Sequence, residues 1–94
     1  MIFLNSNFEK NVDEIQKSIK ETLIKKNADY GDGNLLEYGA LGILVRLSDK
    51  MARIKNFIQT GREFSVKDES LMDTWEDIAG YATNAIRLIK EGKL

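Results

Sequence analysis

The chain has 94 residues, 43% of them hydrophobic and 31% charged, with 14 lysines and arginines against 15 aspartates and glutamates for a formal net charge of −1. That length admits one small domain with a thin core, which self-association would thicken. The near-neutral charge gives no general pull toward a nucleic-acid duplex or an anionic membrane.

Cysteine and histidine are both missing. Their absence excludes disulfides, iron–sulfur clusters, thiolate nucleophiles, Ser–His–Asp triads and imidazole zinc sites, so any catalysis would rest on lysine or on carboxylates with a hard metal. Met1-Ile2-Phe3-Leu4 is too short for a signal peptide, and no apolar run long enough to cross a bilayer follows it, which predicts a cytoplasmic protein.

With no proline, and with glycines mostly where helices would start or stop, the chain reads as all-α. Ser6-Asn7-Phe8-Glu9 has the spacing of a capping box, and Phe8, Val12, Ile15, Ile19 and Leu23 recur at helical steps. A first helix is predicted over about 7–26, stopped by Asn27 and favoured by Lys25 and Lys26 at its negative end. The next stretch, Lys26 to Asn34, is rich in glycine, aspartate and asparagine and reads as a loop. Asp29 and Asp32 could simply shape turns there. Alternatively, Lys26, Asn27, Asp29, Tyr30 and Gly31 could form one wall of a small-ligand site.

A second helix is predicted over about 35–60, packing through Leu44, Leu47, Met51, Ile54 and Ile58, with Gly39 and Gly42 marking a close backbone approach. Gly61 should end it. Ser65 and Asp68 have the spacing of the next cap, and a third helix is predicted over about 66–91 with Leu71, Trp75, Ile78 and Ala82 on its packing side and Gly80 at a tight contact. Phe57 and Tyr81 are assigned to the core, and the tail 90–93 is expected to fray. The predicted fold is a single domain, a three-helix chain forming an oligomeric helical bundle.

Two charged stripes stand out. Arg46, Asp49, Lys50 and Arg53 follow at i, i+3, i+4 and i+7 on the second helix, and Glu69, Asp73 and Asp77 at i, i+4 and i+8 on the third. Either the stripes neutralise each other as an ion-pair layer, or they leave room for an anionic ligand. Arginine grips phosphate with two parallel hydrogen bonds and lysine adds a point charge. Neighbouring carboxylates could hold magnesium bridging the phosphates, and Tyr30, Tyr38 or Trp75 could stack on a base.

KNADYG, followed by LGILVRLSDKMARIKNF and VKDESLMDTWEDIAGYA, resembles the first nucleotide-modification-associated domain family of bacteriophages and prophages, over Lys26 to Ala82. The resemblance implies a small helical protein of nucleotide metabolism or signalling, and points to Asn27, Asp29, Tyr30, Gly31, Arg46, Asp49, Lys50, Arg53, Asp68, Glu69, Asp73 and Asp77. The architecture is also similar to that of MazG-like nucleoside-triphosphate pyrophosphohydrolases, oligomers that hold magnesium with Glu-Glu-x-x-Glu on one helix and Glu-x-x-Asp on the next. Here Arg46, Asp49, Lys50 and Arg53 stand where the first of those patterns would be.

The expected function is therefore non-catalytic binding of a nucleotide or nucleotide-derived signal by a homo-oligomer that requires no cofactor, such as a phage protein sequestering a host defence signal. The alternatives are a magnesium-dependent pyrophosphohydrolase using Asp49, Glu69, Asp73 and Asp77, and a scaffold or interaction module.

Overall fold

The computed structural model describes residues 2–61 and 70–94, with side chains from residue 7 onward. All regular structure among them is helical: α1 (Ile2–Tyr30), α2 (Gly33–Leu36), α3 (Gly39–Thr60) and α4 (Leu71–Lys90). The chain divides into two compact units, residues 1–31 and 32–94.

The first unit is α1, which is longer at both ends than the predicted helix. It runs through Ser6 without stopping, because Ile2 to Asn5 contain neither glycine nor proline and nothing there opposes the helix. At the other end Asn27 is passed over, and Lys26, Asn27, Asp29 and Tyr30 form the last turn of α1, not a loop. The stop is Gly31, at φ +65°, whose N–H donates to the Asn27 carbonyl at 2.7 Å. Glycine takes the left-handed conformation without the steric cost that asparagine would incur. Val12, Ile19 and Leu23 are half-buried, while Phe8 and Ile15 of the same stripe are exposed.

The second unit begins at Asp32. The predicted second helix is two helices, because the chain turns at Glu37-Tyr38 and Gly39 adopts φ +61°. Tyr38 lies back over the first turn of α3, so that a Cβ on Gly42 would stand 2.9 Å from the Tyr38 Cβ. The close approach expected around Gly42 is therefore made by Tyr38. Gly61 ends α3 as predicted, in the left-handed conformation with its N–H on the Phe57 carbonyl at 2.8 Å.

The predicted Ser65–Asp68 cap lies outside the described residues. Helix α4 starts from the same Ser-x-x-Asp spelling five positions later. Ser70 is extended, its hydroxyl accepts the Asp73 N–H at 3.0 Å, and the Asp73 carboxylate accepts the Ser70 N–H at 3.1 Å. The far end is closed as well. Gly92, at φ +72°, sends its N–H to the Ile89 carbonyl, and the Lys93 N–H reaches the Leu88 carbonyl at 2.8 Å. This is a Schellman arrangement, and it orders a tail expected to fray.

Helices α3 and α4 pack antiparallel. Lys50 meets Asp77, while Arg87, further along α4, meets Asp32, upstream of α3. Among the described residues, Ile43, Ile54 and Leu88 are the buried apolar side chains of the pair, flanked by half-buried Leu47, Phe57, Leu71, Ile78, Tyr81 and Ala85. Thr74 is fully buried and keeps its hydroxyl satisfied on the Ser70 carbonyl at 3.0 Å. Gly80 is buried too.

The predicted packing stripes hold in part: Leu47 and Ile54 of α3 and Leu71 and Ile78 of α4 turn inward as expected, and the other members do not. Leu44, Met51 and Ile58 of α3, and Trp75 and Ala82 of α4, are exposed. Both helices carry two apolar stripes roughly one residue step, or about 100°, apart, and periodicity alone does not choose which one turns inward.

Leu88 and the Ser70 cap yield graded expectations. Leu88→Ala removes a fully buried side chain and should lower unfolding stability by about 2–5 kcal/mol, whereas Ser70→Ala should cost about 1 kcal/mol. Urea denaturation followed by circular dichroism measures both, and equal effects would mean that Leu88 is not in the core.

Candidate functional site

On α3, Arg46, Lys50 and Arg53 occupy one flank of the packing stripe, with Leu44, Met51 and Ile58 on the opposite flank. Because α4 runs antiparallel, its corresponding flank, with Asp73 and Asp77, comes to the same face of the helix pair. The second unit thus has a charged face and an apolar face, separated by its core.

Arg46, Lys50 and Arg53 are all half-buried. Arg46 is fixed by α2: its Nη2 donates to the Asn34 carbonyl at 3.0 Å and to the Asn34 Oδ1 at 3.2 Å. Lys50 Nζ lies 3.1 Å from the Asp77 carboxylate, with side-chain exposures of 20% and 28%, so this ion pair is largely withdrawn from solvent. Asp73 is occupied as the cap of α4. Hydrogen bonds from the Ser70 backbone N–H and hydroxyl hold its carboxyl below the usual range. Asp49 is exposed, and Glu69 lies outside the described residues.

The structure therefore brings Arg46, Lys50, Arg53, Asp73 and Asp77 to one face of one unit. Lys26, Asn27, Asp29, Tyr30 and Gly31 belong to the first unit, where they are exposed at the end of α1, the Tyr30 side chain conspicuously so. Among the described residues no three carboxylates converge as metal ligands would. Of the acids that magnesium would need, Asp73 caps a helix and Asp77 faces the Lys50 ammonium.

A second charged cluster was not anticipated in the sequence. Asp32, at the N-cap position of α2, receives two hydrogen bonds from Arg87: Nη2 to Oδ1 at 2.7 Å and Nη1 to Oδ2 at 3.3 Å. Lys93 Nζ adds a third at 3.0 Å. Arg87 also holds both oxygens of Glu91, at 3.0 and 3.1 Å, and the Asn84 Oδ1 at 3.1 Å. Arg87 first, and then Lys93, hold the Asp32 carboxyl far below the usual carboxylate range, against the opposing effect of its partial burial. The Arg87–Glu91 pair is legible in sequence at spacing i, i+4. Asp32, 55 positions upstream of Arg87, carries no local sign of its partner.

Compared with known proteins, the chain matches no family model, no curated sequence and no solved structure.

The depressed Asp32 pKa sets a pH dependence. A carboxylate whose pKa is lower folded than unfolded stabilises the fold fully above its unfolded value, about 3.9, and that contribution fades as pH falls toward the folded value. The stability difference between the wild type and Asp32→Asn should therefore be constant above about pH 5 and should shrink below pH 4. Thermal melts from pH 3 to 7 measure it, and a gap that widened on acidification would contradict the assigned pairing.

Proposed function

We propose that this chain is a non-catalytic binding protein for a small anionic ligand of the nucleotide class, recognised by the charged face of its second unit. The observation that carries the reading is the convergence of Arg46, Lys50 and Arg53 on one flank of α3, with Arg46 oriented by Asn34. Three half-buried cations in a row suit a phosphate or pyrophosphate, because a partly desolvated cation interacts more strongly with an anion than one surrounded by water. Asp77 would exchange some of its hold on Lys50 for the ligand or accept a ribose hydroxyl.

The resemblance of Lys26 to Ala82 to the nucleotide-modification-associated family supports the ligand class. A phage setting would make sequestration of a host defence signal, such as a cyclic nucleotide or a cyclic ADP-ribose derivative in the bacterial cytoplasm, the simplest use of so small a protein. One observation favours a second reading. The direct Lys50–Asp77 pair is what a structural ion-pair layer in a scaffold or interaction module would contain.

The test is to incubate the purified protein with a panel of nucleotides, cyclic dinucleotides and cyclic ADP-ribose isomers in the presence of magnesium, then chromatograph the filtrate before and after heating. A compound that is depleted and returns intact on denaturation is the ligand. Release of monophosphate and pyrophosphate would identify a hydrolase, and no depletion would leave the module reading.

With the ligand in hand, Arg46→Ala and Arg53→Ala should each weaken binding about 10- to 100-fold, the loss expected for one charge-assisted hydrogen bond of about 1.5–3 kcal/mol. Calorimetry measures it, with helicity checked by circular dichroism. Undiminished affinity in the double variant would remove phosphate from this face.

A further inference from the structure

Among the described residues, the apolar face of the second unit lies outside its core. On α4, Met72, Trp75, Ala79, Ala82, Ile86 and Ile89 form a continuous stripe at alternating steps of three and four, offset by one residue from the stripe that packs on α3. Its large members are open to solvent, at 69% for Met72, 53% for Trp75, 62% for Ile86 and 61% for Ile89. Leu44, Met51 and Ile58 of α3 lie on the same face and are equally exposed.

We infer that this face binds a second copy of the chain, α4 against α4 in antiparallel orientation, about a two-fold axis passing between Gly80 and Tyr81. The size order of the stripe argues for that register. Reading inward from either end it runs large, large, small, so the axis sets Met72 beside the second copy's Ile89, Trp75 beside its Ile86, and Ala79 beside its Ala82. Small residues at the centre let the backbones approach closely, and the large ones fill the diverging ends.

Charge argues for the same orientation. Of the charged residues of α4, Glu76 in its first half and Lys90 in its last turn flank the stripe, whereas Asp73, Asp77 and Arg87 lie toward the charged face. Parallel pairing would set Glu76 beside the second copy's Glu76 and Lys90 beside its Lys90. Antiparallel pairing brings Glu76, on the edge of the stripe, to the same flank as the second copy's Lys90, and it also opposes the helix dipoles.

Area decides that α3 takes part. Helix α4 alone is about 30 Å long and one helix wide, too little for a stable dimer. With α3 alongside, the face is roughly 20 Å across and is of the order of the 800 Å² per partner that a standard interface buries. An axis perpendicular to the helices places α3 opposite α3 and α4 opposite α4, so the result is two stacked two-helix layers with one isologous interface.

The native chain offers a built-in reporter, because Trp75 is its single tryptophan and lies in the interface. Light scattering should give about twice the monomer mass of 10.7 kDa, and Trp75 emission should shift to the red on dilution. Ile86→Glu should return the monomer mass with helicity unchanged, since Ile86 is exposed in the single chain.

Register is tested in the otherwise cysteine-free chain with Met72→Cys and Ile89→Cys. Oxidising a mixture of the two variants should yield covalent dimer, whereas each variant alone should yield several-fold less. Identical positions would lie roughly 25 Å apart along the axis, far beyond disulfide reach. Three results would overturn the inference: a monomeric wild type at 100 µM or so, Met72→Cys cross-linking to itself as readily as in the mixture, or a monomer in which Trp75 is shielded from acrylamide by another segment of its own chain.

Discussion

The second unit depends on one guanidinium gripping one carboxylate. Among the described residues, Ile43, Ile54 and Leu88 are the buried apolar side chains of α3 and α4, and they set the helices side by side without fixing their ends. Arg87 fixes them, by joining the end of α4 to Asp32 at the start of α2 through two hydrogen bonds, with Lys93 and Glu91 completing the network. Partly exposed ion pairs contribute little stability singly. A bidentate pair inside a network is different in kind, because the planar fork accepts a carboxylate in few orientations. Its effect is chiefly positional, determining where α2 begins and so where Asn34 is presented to Arg46.

From that fixed geometry the division into two faces follows. Once Leu88 and Thr74 turn toward α3, a rotation of about 100° assigns every other position on α4. Asp77 must fall toward Lys50, and Trp75 must fall away from the core. The same holds for α3, where burying Ile43 and Ile54 places Arg46 and Arg53 on one flank and Met51 on the other. Neither face can be altered by rotating a helix without dismantling the core between them.

The helical class of the chain, the Gly61 stop, the Phe57 and Tyr81 contributions to packing and the grouping of Arg46, Lys50 and Arg53 were all legible in the sequence, because each depends on local spacing or on glycine's freedom at positive φ. The inward stripe of α4 was only partly so. Trp75 looks like the better core residue, and Thr74 looks like a surface residue until its hydroxyl finds the Ser70 carbonyl. The start of α4 was ambiguous for a related reason, since Ser65 and Ser70 are each followed by aspartate at the third position. The extension of α1 to Tyr30 shows a third kind of limit. Asn27 and Gly31 both permit a stop, and the cheaper left-handed conformation of glycine decides between them. The Asp32–Arg87 pair is tertiary, and no periodicity reports it.

The two proposals constrain each other through the shape of the helix pair. A dimer joined through the apolar face would direct its two charged faces outward, with both helix layers between them. Each anion site would then be complete within one chain, built from α2, α3 and α4 of a single second unit. Binding at one site would not require the other, because Arg46 and Asn34 are positioned by Asp32 and Arg87 of their own chain and not by the interface. Coupling between sites would need an element with two arrangements that both sites bias, and on these two proposals each site is built within its own chain. If both proposals hold, one ligand per chain should bind without cooperativity, as would suit holding a ligand rather than responding to it.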